Sequence, residues 1–192
     1  MGADEFGDSG GKAAGAHSYK DSLSNWRDLM NNLRDNLFRI AKPQAHLYMF
    51  CDIDQFTEAK WYMSEGGWQV FRTPIIWHKP NGMRAPWPEN GPQRKYEIIL
   101  FAVKGKKPVN KLYPDLVSYP SDENRGHAAQ KPVALFLDLL KRSARAGDTV
   151  LDPFAGSGTI FPACHELRCR ATGIEVDPAS YGLAAKRLGE LK

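Results

Sequence analysis

The segment Asp152-Pro153-Phe154-Ala155-Gly156-Ser157-Gly158-Thr159 follows a short apolar run, Thr149-Val150-Leu151, and precedes a stretch that can be helical. Strand, glycine turn and helix in that order confine a chain to few architectures, because the turn lets backbone approach a nucleotide-like ligand closely. Gly156 and Gly158 permit that approach, having no Cβ. Farther on, Thr172-Gly173-Ile174-Glu175-Val176-Asp177-Pro178 reads as a second strand ending in an acid. An acid there can accept hydrogen bonds from a ribose diol. A dinucleotide site calls for a third glycine, where this chain has Phe161, and no Gly-Lys-Ser/Thr follows to make a triphosphate loop. The pair of signals therefore suits a cofactor without phosphates, such as S-adenosylmethionine. The turn alone would equally suit a plain strand-to-helix joint.

Along the rest of the chain, residues 1–20 are rich in glycine and poor in apolar side chains, which predicts a flexible segment. Apolar residues from Leu23 to Ile40 recur at helical spacing, predicting a helix over Ser22 to Ala41. Ala45 to Cys51 reads as a buried strand and Phe56 to Ser64 as a helix stopped by Gly66-Gly67. Val70 to Trp77 and Tyr96 to Val103 read as strands joined by a Pro/Gly-rich loop that holds Trp87, able to pair as neighbours in a hairpin-like arrangement. Val133 to Ala144 and Pro178 to Leu191 read as helices. Strand alternating with helix predicts an α/β sheet with helices on both faces.

At 192 residues, one domain is expected over 21–192, following the flexible 1–20. No apolar run approaches the ~20 residues that cross a membrane, and Cys51, Cys164 and Cys169 are too scattered for a disulfide framework or a zinc site. The expectation is reduced thiols, no metal and a cytoplasmic address. The net charge of +4 conceals a local excess: between Lys79 and Lys111, eight basic residues stand against Glu89 and Glu97. Clustered Lys and Arg on loops can neutralise phosphates. Arg84, Trp87, Arg94, Lys104, Lys106 and Lys107 are the candidate contacts to nucleic acid, although a lysine-rich solvated turn has the same composition.

Taken in order, Gln130-Lys131-Pro132, Asp152 to Thr159, and Gly173-Ile174-Glu175-Val176-Asp177-Pro178 resemble the C-terminal part of the β-class (permuted) amino-methyltransferases of DNA. These modify adenine N6 or cytosine N4. Gly-Ala-Asp-Glu-Phe-Gly-Asp at the head of the chain and Tyr96-Glu97-Ile98-Ile99-Leu100 resemble phage-type members. The resemblance implies a Rossmann-like S-adenosylmethionine-dependent methyltransferase fold: a mostly parallel sheet, a substrate half at 21–127 with basic loops and a cofactor-binding half at 128–192. It implies that Asp152, Pro153, Phe154, Gly156, Ser157, Gly158 and Thr159 line the cofactor, that Glu175 binds its ribose, and that Lys131 lies near its methionine moiety. Each position has a plainer role open to it: Lys131-Pro132 also suits a helix start, Phe154 a core position and Glu175 a surface acid. His127 is left out as a loop residue.

The family's catalytic tetrapeptide, of the Asp-Pro-Pro-Tyr type, ends a strand just before the segment that heads this chain, and no Asp-Pro-Pro-aromatic or Asn-Pro-Pro-aromatic sequence occurs here. No catalytic residue is therefore identifiable. By the resemblance, a central strand is missing between Thr149–Asp152 and Ala45–Cys51. The expectation is a truncated or partial chain, with another chain or copy as a possible source of that strand. The alternatives are a non-catalytic S-adenosylmethionine- or DNA-binding remnant and one subunit of a split methyltransferase.

Overall fold

In a computed structural model of the chain, residues 23–81, 92, 95–122 and 130–191 are described. The predicted flexible segment, the loop residues Arg84, Trp87 and Arg94, and His127 lie outside them. The elements in order are α1 (Leu23–Ile40), β1 (Ala45–Cys51), α2 (Phe56–Glu65), β2 (Gln69–Val70), β3 (Ile75–His78), β4 (Tyr96–Lys104), β5 (Leu116–Ser118), α3 (Val133–Ser143), β6 (Thr149–Asp152), α4 (Ile160–Glu166), β7 (Arg170–Gly173) and α5 (Pro178–Gly189).

A five-stranded sheet has the order β1-β4-β3-β5, with β2 also on β4, and a separate pair joins β6 to β7. β4 is the axis of the larger sheet. Its near-continuous apolar run suits a strand covered on both faces. Ile99, Phe101 and Val103 pack with Ile75, Trp77 and Val117 against Leu135 and Leu139 of α3. Leu100 and Ala102 face the opposite way, against Met30 of α1 and Ala59, Tyr62 and Met63 of α2. Helices on both faces are thus as expected. The mostly parallel sheet is not: β4 is antiparallel to β1, β2 and β3, and only β3–β5 and β6–β7 are parallel. β3 and β4 form the hairpin-like pair read from the sequence: they follow one another with no helix between them among the described residues, and consecutive strands without a helical crossover pair antiparallel.

Two further corrections are local. The single strand expected over Val70–Trp77 is divided into β2 and β3, because Pro74 has no N–H to give a ladder. β5 carries too short an apolar signal to be read in advance. It is held by Ile76 N–H to Asp115 O (2.7 Å), by Tyr119 N–H to His78 O (3.1 Å), and by buried Arg142 donating to Pro114 O (2.8 Å).

α3 is the joint between the two sheets. Leu135 and Leu139 serve the larger one, while Phe136, Leu137 and Leu140 pack with Ile160, Phe161 and Cys164 of α4 and with Val150 and Ala171 of β6 and β7. Ser143 at its end is 2.5 Å from both His46 Nδ1 and Tyr48 Oη, which fastens β1 to the same helix. Among the described residues, β1 pairs with β4 alone and β6 with β7 alone. Each strand beside the expected central position therefore has one edge without a strand partner. Among the same residues, no helix is long and apolar enough to cross a membrane.

Candidate functional site

The glycine turn leaves β6 at Asp152 and enters α4 at Ile160. Two bonds carry the β6–β7 pairing past its last residues, Ile174 N–H to Asp152 O and Ala155 N–H to Ile174 O, both 2.9 Å. Gly156 and Gly158 both have positive φ, 52° and 74°. They do different work. A Cβ on Gly158 would stand 2.9 Å from Ala184 Cα of α5, so that glycine lets helix and turn pack closely. A Cβ on Gly156 would meet nothing within 4 Å, so that position opens onto free space.

Glu175 borders the open side. The strand β7 ends at Gly173, two residues before the acid, so Glu175 sits in the loop beyond the strand end where the sequence had placed it on the strand. Its Oε2 accepts from Gly156 N–H (2.7 Å) and its Oε1 from Asp177 N–H (2.8 Å). Each oxygen keeps a second lone pair for an external donor. The loop then enters α5 as the Asp177-Pro178 pair predicts, with the Asp177 carboxylate accepting from Ser180 N–H (2.8 Å). Phe154, Ile174 and Val176, which neighbour these polar groups in the chain, are exposed, Val176 at 92%. Asp152 is partly buried and accepts from Phe154 N–H (3.0 Å). Burial raises its pKa, the Phe154 N–H opposes the rise, and the nearby Glu175 charge adds to it.

Ser157 and Thr159, both expected at the cofactor, are buried with their hydroxyls turned to the back of the turn. Ser157 Oγ donates to Gln130 Oε1 (2.9 Å), and Thr159 Oγ1 accepts from Arg187 Nη1 (2.7 Å). Gln130 and Arg187 were missed as site residues. The only signal for Gln130 was its place beside Lys131-Pro132.

Lys131 lies in a different place from its neighbour. Its Nζ is 3.2 Å from Glu97 Oε2, 5.4 Å from the centre of the Phe50 ring and 6.0 Å from that of Trp77. Glu97 is also paired with Lys79. Burial alone would raise the Glu97 pKa, but Lys131 and Lys79 outweigh it and hold the carboxyl below its ordinary value. Glu97 and Lys131 line a cavity of about 250 Å³ with Phe50, Asp52, Ile53 and Tyr96, at the carboxyl end of β1. Cys51 also borders it, but burial pushes its thiol up to about 11, so it is not a thiolate nucleophile. Residues 130 and 131 thus face two sites, Gln130 the glycine turn and Lys131 the cavity.

The basic residues divide in the same way. Lys104 Nζ donates to Phe38 O (2.6 Å) and Ala41 O (2.8 Å) and lies over the Phe38 ring, so it caps the end of α1. Lys106 is exposed and Lys107 half-buried in the turn that follows. Ala45 pairs with Lys104 and Cys51 with Ile98, which puts this turn at the amino end of β1, away from the cavity. Along β4 the seven steps from Glu97 to Lys104 span ~24 Å at ~3.4 Å per residue. Lys104, Lys106 and Lys107 are therefore not brought to the cavity. Among the described residues, no group of three or more His, Cys, Asp or Glu is placed to hold a metal ion.

A family model described as DNA methylase matches residues 10–186. The Type II methyltransferase M.Cfr9I of Citrobacter freundii is 29% identical over 66% of this chain and 46% of its own length. M.HpaI of Haemophilus parainfluenzae, also a Type II methyltransferase, is 23% identical over 93% of this chain and 64% of its own. The chain thus spans about half to two thirds of these relatives. Among solved structures, the M1.HpyAVI–SAM complex superposes with a TM-score of 0.74 at 27% identity, over 88% of this chain and 85% of that one.

Proposed function

The chain belongs to the DNA methylase family, and we propose that it binds S-adenosylmethionine on the open side of the glycine turn and serves methyl transfer to an exocyclic amino group in double-stranded DNA, adenine N6 in preference to cytosine N4. The observation that carries this reading is the Gly156–Glu175 arrangement. Backbone N–H groups hold both carboxylate oxygens in place, so their remaining lone pairs are preorganised for two ribose hydroxyls. Space beside Gly156 and the exposed Phe154, Ile174 and Val176 suit a planar adenine. Arg187 is the basic side chain bonded to the turn, and it is engaged behind it with Thr159 and Gln130. That donor set fits a cofactor with a diol and no phosphates. When bound, the cofactor would supply an electrophilic methyl on sulfonium.

The cavity at Glu97 supplies the other half of the reading. A base inside a duplex is out of reach, so it must be extruded into a pocket. Phe50 and Tyr96 offer ring faces, and Glu97, kept ionised by its two lysines, can accept a hydrogen bond from an amino group. The cytoplasm is the compartment where such a substrate is met. That M1.HpyAVI was crystallised with SAM supports the cofactor, and the names of M.Cfr9I and M.HpaI support the reaction. A second reading, one subunit of a split methyltransferase, is favoured by the unpartnered edges of β1 and β6 among the described residues.

Calorimetric titration with S-adenosylhomocysteine, followed by transfer of a radiolabelled methyl group to duplex DNA, tests the proposal. Binding with transfer supports it in full. Binding without transfer leaves the cofactor site alone standing, and transfer regained on adding a separate strand-donating chain supports the second reading. Failure to bind overturns the cofactor reading.

A further inference from the structure

The back of the glycine turn carries a ring of side chains for which the proposed chemistry has no use. Gln130 is 8% exposed, and its Oε1 accepts from Ser157 Oγ (2.9 Å) and from Arg187 Nη2 (3.1 Å). Its Nε2 donates to Asp122 Oδ2 (2.9 Å). Arg187 Nη1 donates to Thr159 Oγ1 (2.7 Å), and the Ser157 and Thr159 hydroxyls lie 3.4 Å apart. The amide has one possible orientation, because a guanidinium only donates and a carboxylate only accepts. Gln130, Ser157 and Thr159 are all buried, where a lost partner is not replaced by water.

The ring spans segments far apart in sequence: residues 122 and 130 before α3, the glycine turn and α5. Ser157 and Thr159 flank Gly158, whose positive φ the turn depends on. With both held from behind, the loop has little freedom left on its open side, where Gly156 N–H meets Glu175. We infer that Gln130 is a positioning residue: it clamps Ser157 directly and Thr159 through Arg187, so that the cradle at Gly156 and Glu175 is formed before any ligand arrives. Asp122 orients the Gln130 amide. The functional consequence rests on the cofactor reading above; the clamp itself does not.

The chemistry requires a neutral amide at 130. A carboxylate there satisfies Ser157 and Arg187 but sets its second oxygen against Asp122. An apolar side chain leaves all three partners unmatched. Amide hydrogen exchange at residues 156–159 and calorimetric titration with S-adenosylhomocysteine are therefore measured on the unaltered chain, Q130L, Q130E, D122N and Q130E/D122N. Both single Q130 variants are expected to exchange faster in the turn and to bind the analogue ~10-fold more weakly or worse, the scale of lost orienting partners at a preorganised site. Q130E/D122N is expected to recover both properties, because the new amide at 122 donates to the new carboxylate at 130. Recovery of that kind is specific to the bonding pattern and is not expected of mere packing. Unchanged exchange in the single variants, or a double variant no better than Q130E, overturns the inference. If Q130L does not fold, Q130E against Q130E/D122N decides. If the unaltered chain does not bind the analogue, the cofactor reading fails, and turn exchange alone decides the role of Gln130.

Discussion

Both faces of β4 are buried, Ile99, Phe101 and Val103 against α3, and Leu100 and Ala102 against α1 and α2. The β6–β7 pair has Val150 and Ala171 packed on α3, α4 and α5, while Leu151 and Thr172, paired on its other face, stay exposed. Beyond that pair, Phe154, Ile174 and Val176 add more exposed apolar surface. From Ile98 to Val103 of β4 the apolar side chains have found partners; Phe154, Ile174 and Val176 at the glycine turn have not. Scattered exposed apolar residues mean little, but a set of them beside a carboxylate fixed by backbone N–H groups suits the ligand surface proposed above. Stability should therefore respond to the first region and binding to the second.

Trp77 gives the sharpest contrast. It is 1% exposed and its Nε1–H donates to Tyr119 O (2.8 Å), so Trp77→Ala is expected to cost about 3–5 kcal/mol in urea unfolding. Val176→Ala, at 92% exposure, should stay within about 0.5 kcal/mol while weakening S-adenosylhomocysteine binding. Equal destabilisation by both would break the comparison.

The two glycines repeat the contrast within one turn. Gly158→Ala combines an unfavourable φ with a clash against Ala184, and about 2–4 kcal/mol is expected from thermal or urea unfolding. Gly156→Ala meets only the φ penalty, about 1–2 kcal/mol, but fills the open cradle, so its larger effect should be on analogue affinity. A Gly156→Ala variant that binds normally would remove the cradle from the site.

Glu175→Gln is expected to bind the analogue ~10-fold more weakly, about 1.4 kcal/mol, and to lose about 1–2 kcal/mol in urea unfolding, since the amide oxygen still accepts from one backbone N–H but the amide NH2 is set against the other. The smallest effect belongs to His46. Its Nε2–H donates to Lys107 O (2.8 Å), so neutral Nδ1 accepts from Ser143, whose oxygen in turn accepts from Tyr48. Burial lowers the His46 pKa, outweighing the Lys107 carbonyl. Because the unfolded chain takes up the proton first, this stability is fully present above the ordinary value of about 6.5 and is lost as pH falls below it. Urea midpoints from pH 8 to 5 should show the loss in the unaltered chain and a flatter profile in His46→Asn.

Much of the fold was legible because it is local. The strands Ala45–Cys51 and Thr149–Asp152 follow from apolar runs bounded by turn residues, and α5 begins at the Asp-Pro pair that caps it. The hairpin-like pairing of β3 with β4 was read, and the break at Pro74 was written in the chain but not read; the antiparallel β1–β4 pairing and the short β5 were not legible. These last two depend on what a segment lies beside, and an apolar run looks the same in either direction.

For the site, the sequence by itself determined the backbone chemistry: two glycines where φ must be positive, and an acid spaced to meet them. These are covalent neighbours or members of one βαβ unit, so order and spacing suffice. Only tertiary structure decided which way the side chains went. It turned Ser157 and Thr159 inward to Gln130 and Arg187, sent Lys131 to Glu97, and used Lys104 to cap α1 rather than face the cavity. A charge or hydroxyl binds whichever partner the fold brings within ~3 Å, and residues as far apart as Gln130 and Arg187 meet only once α5 has packed beside the segment that precedes α3.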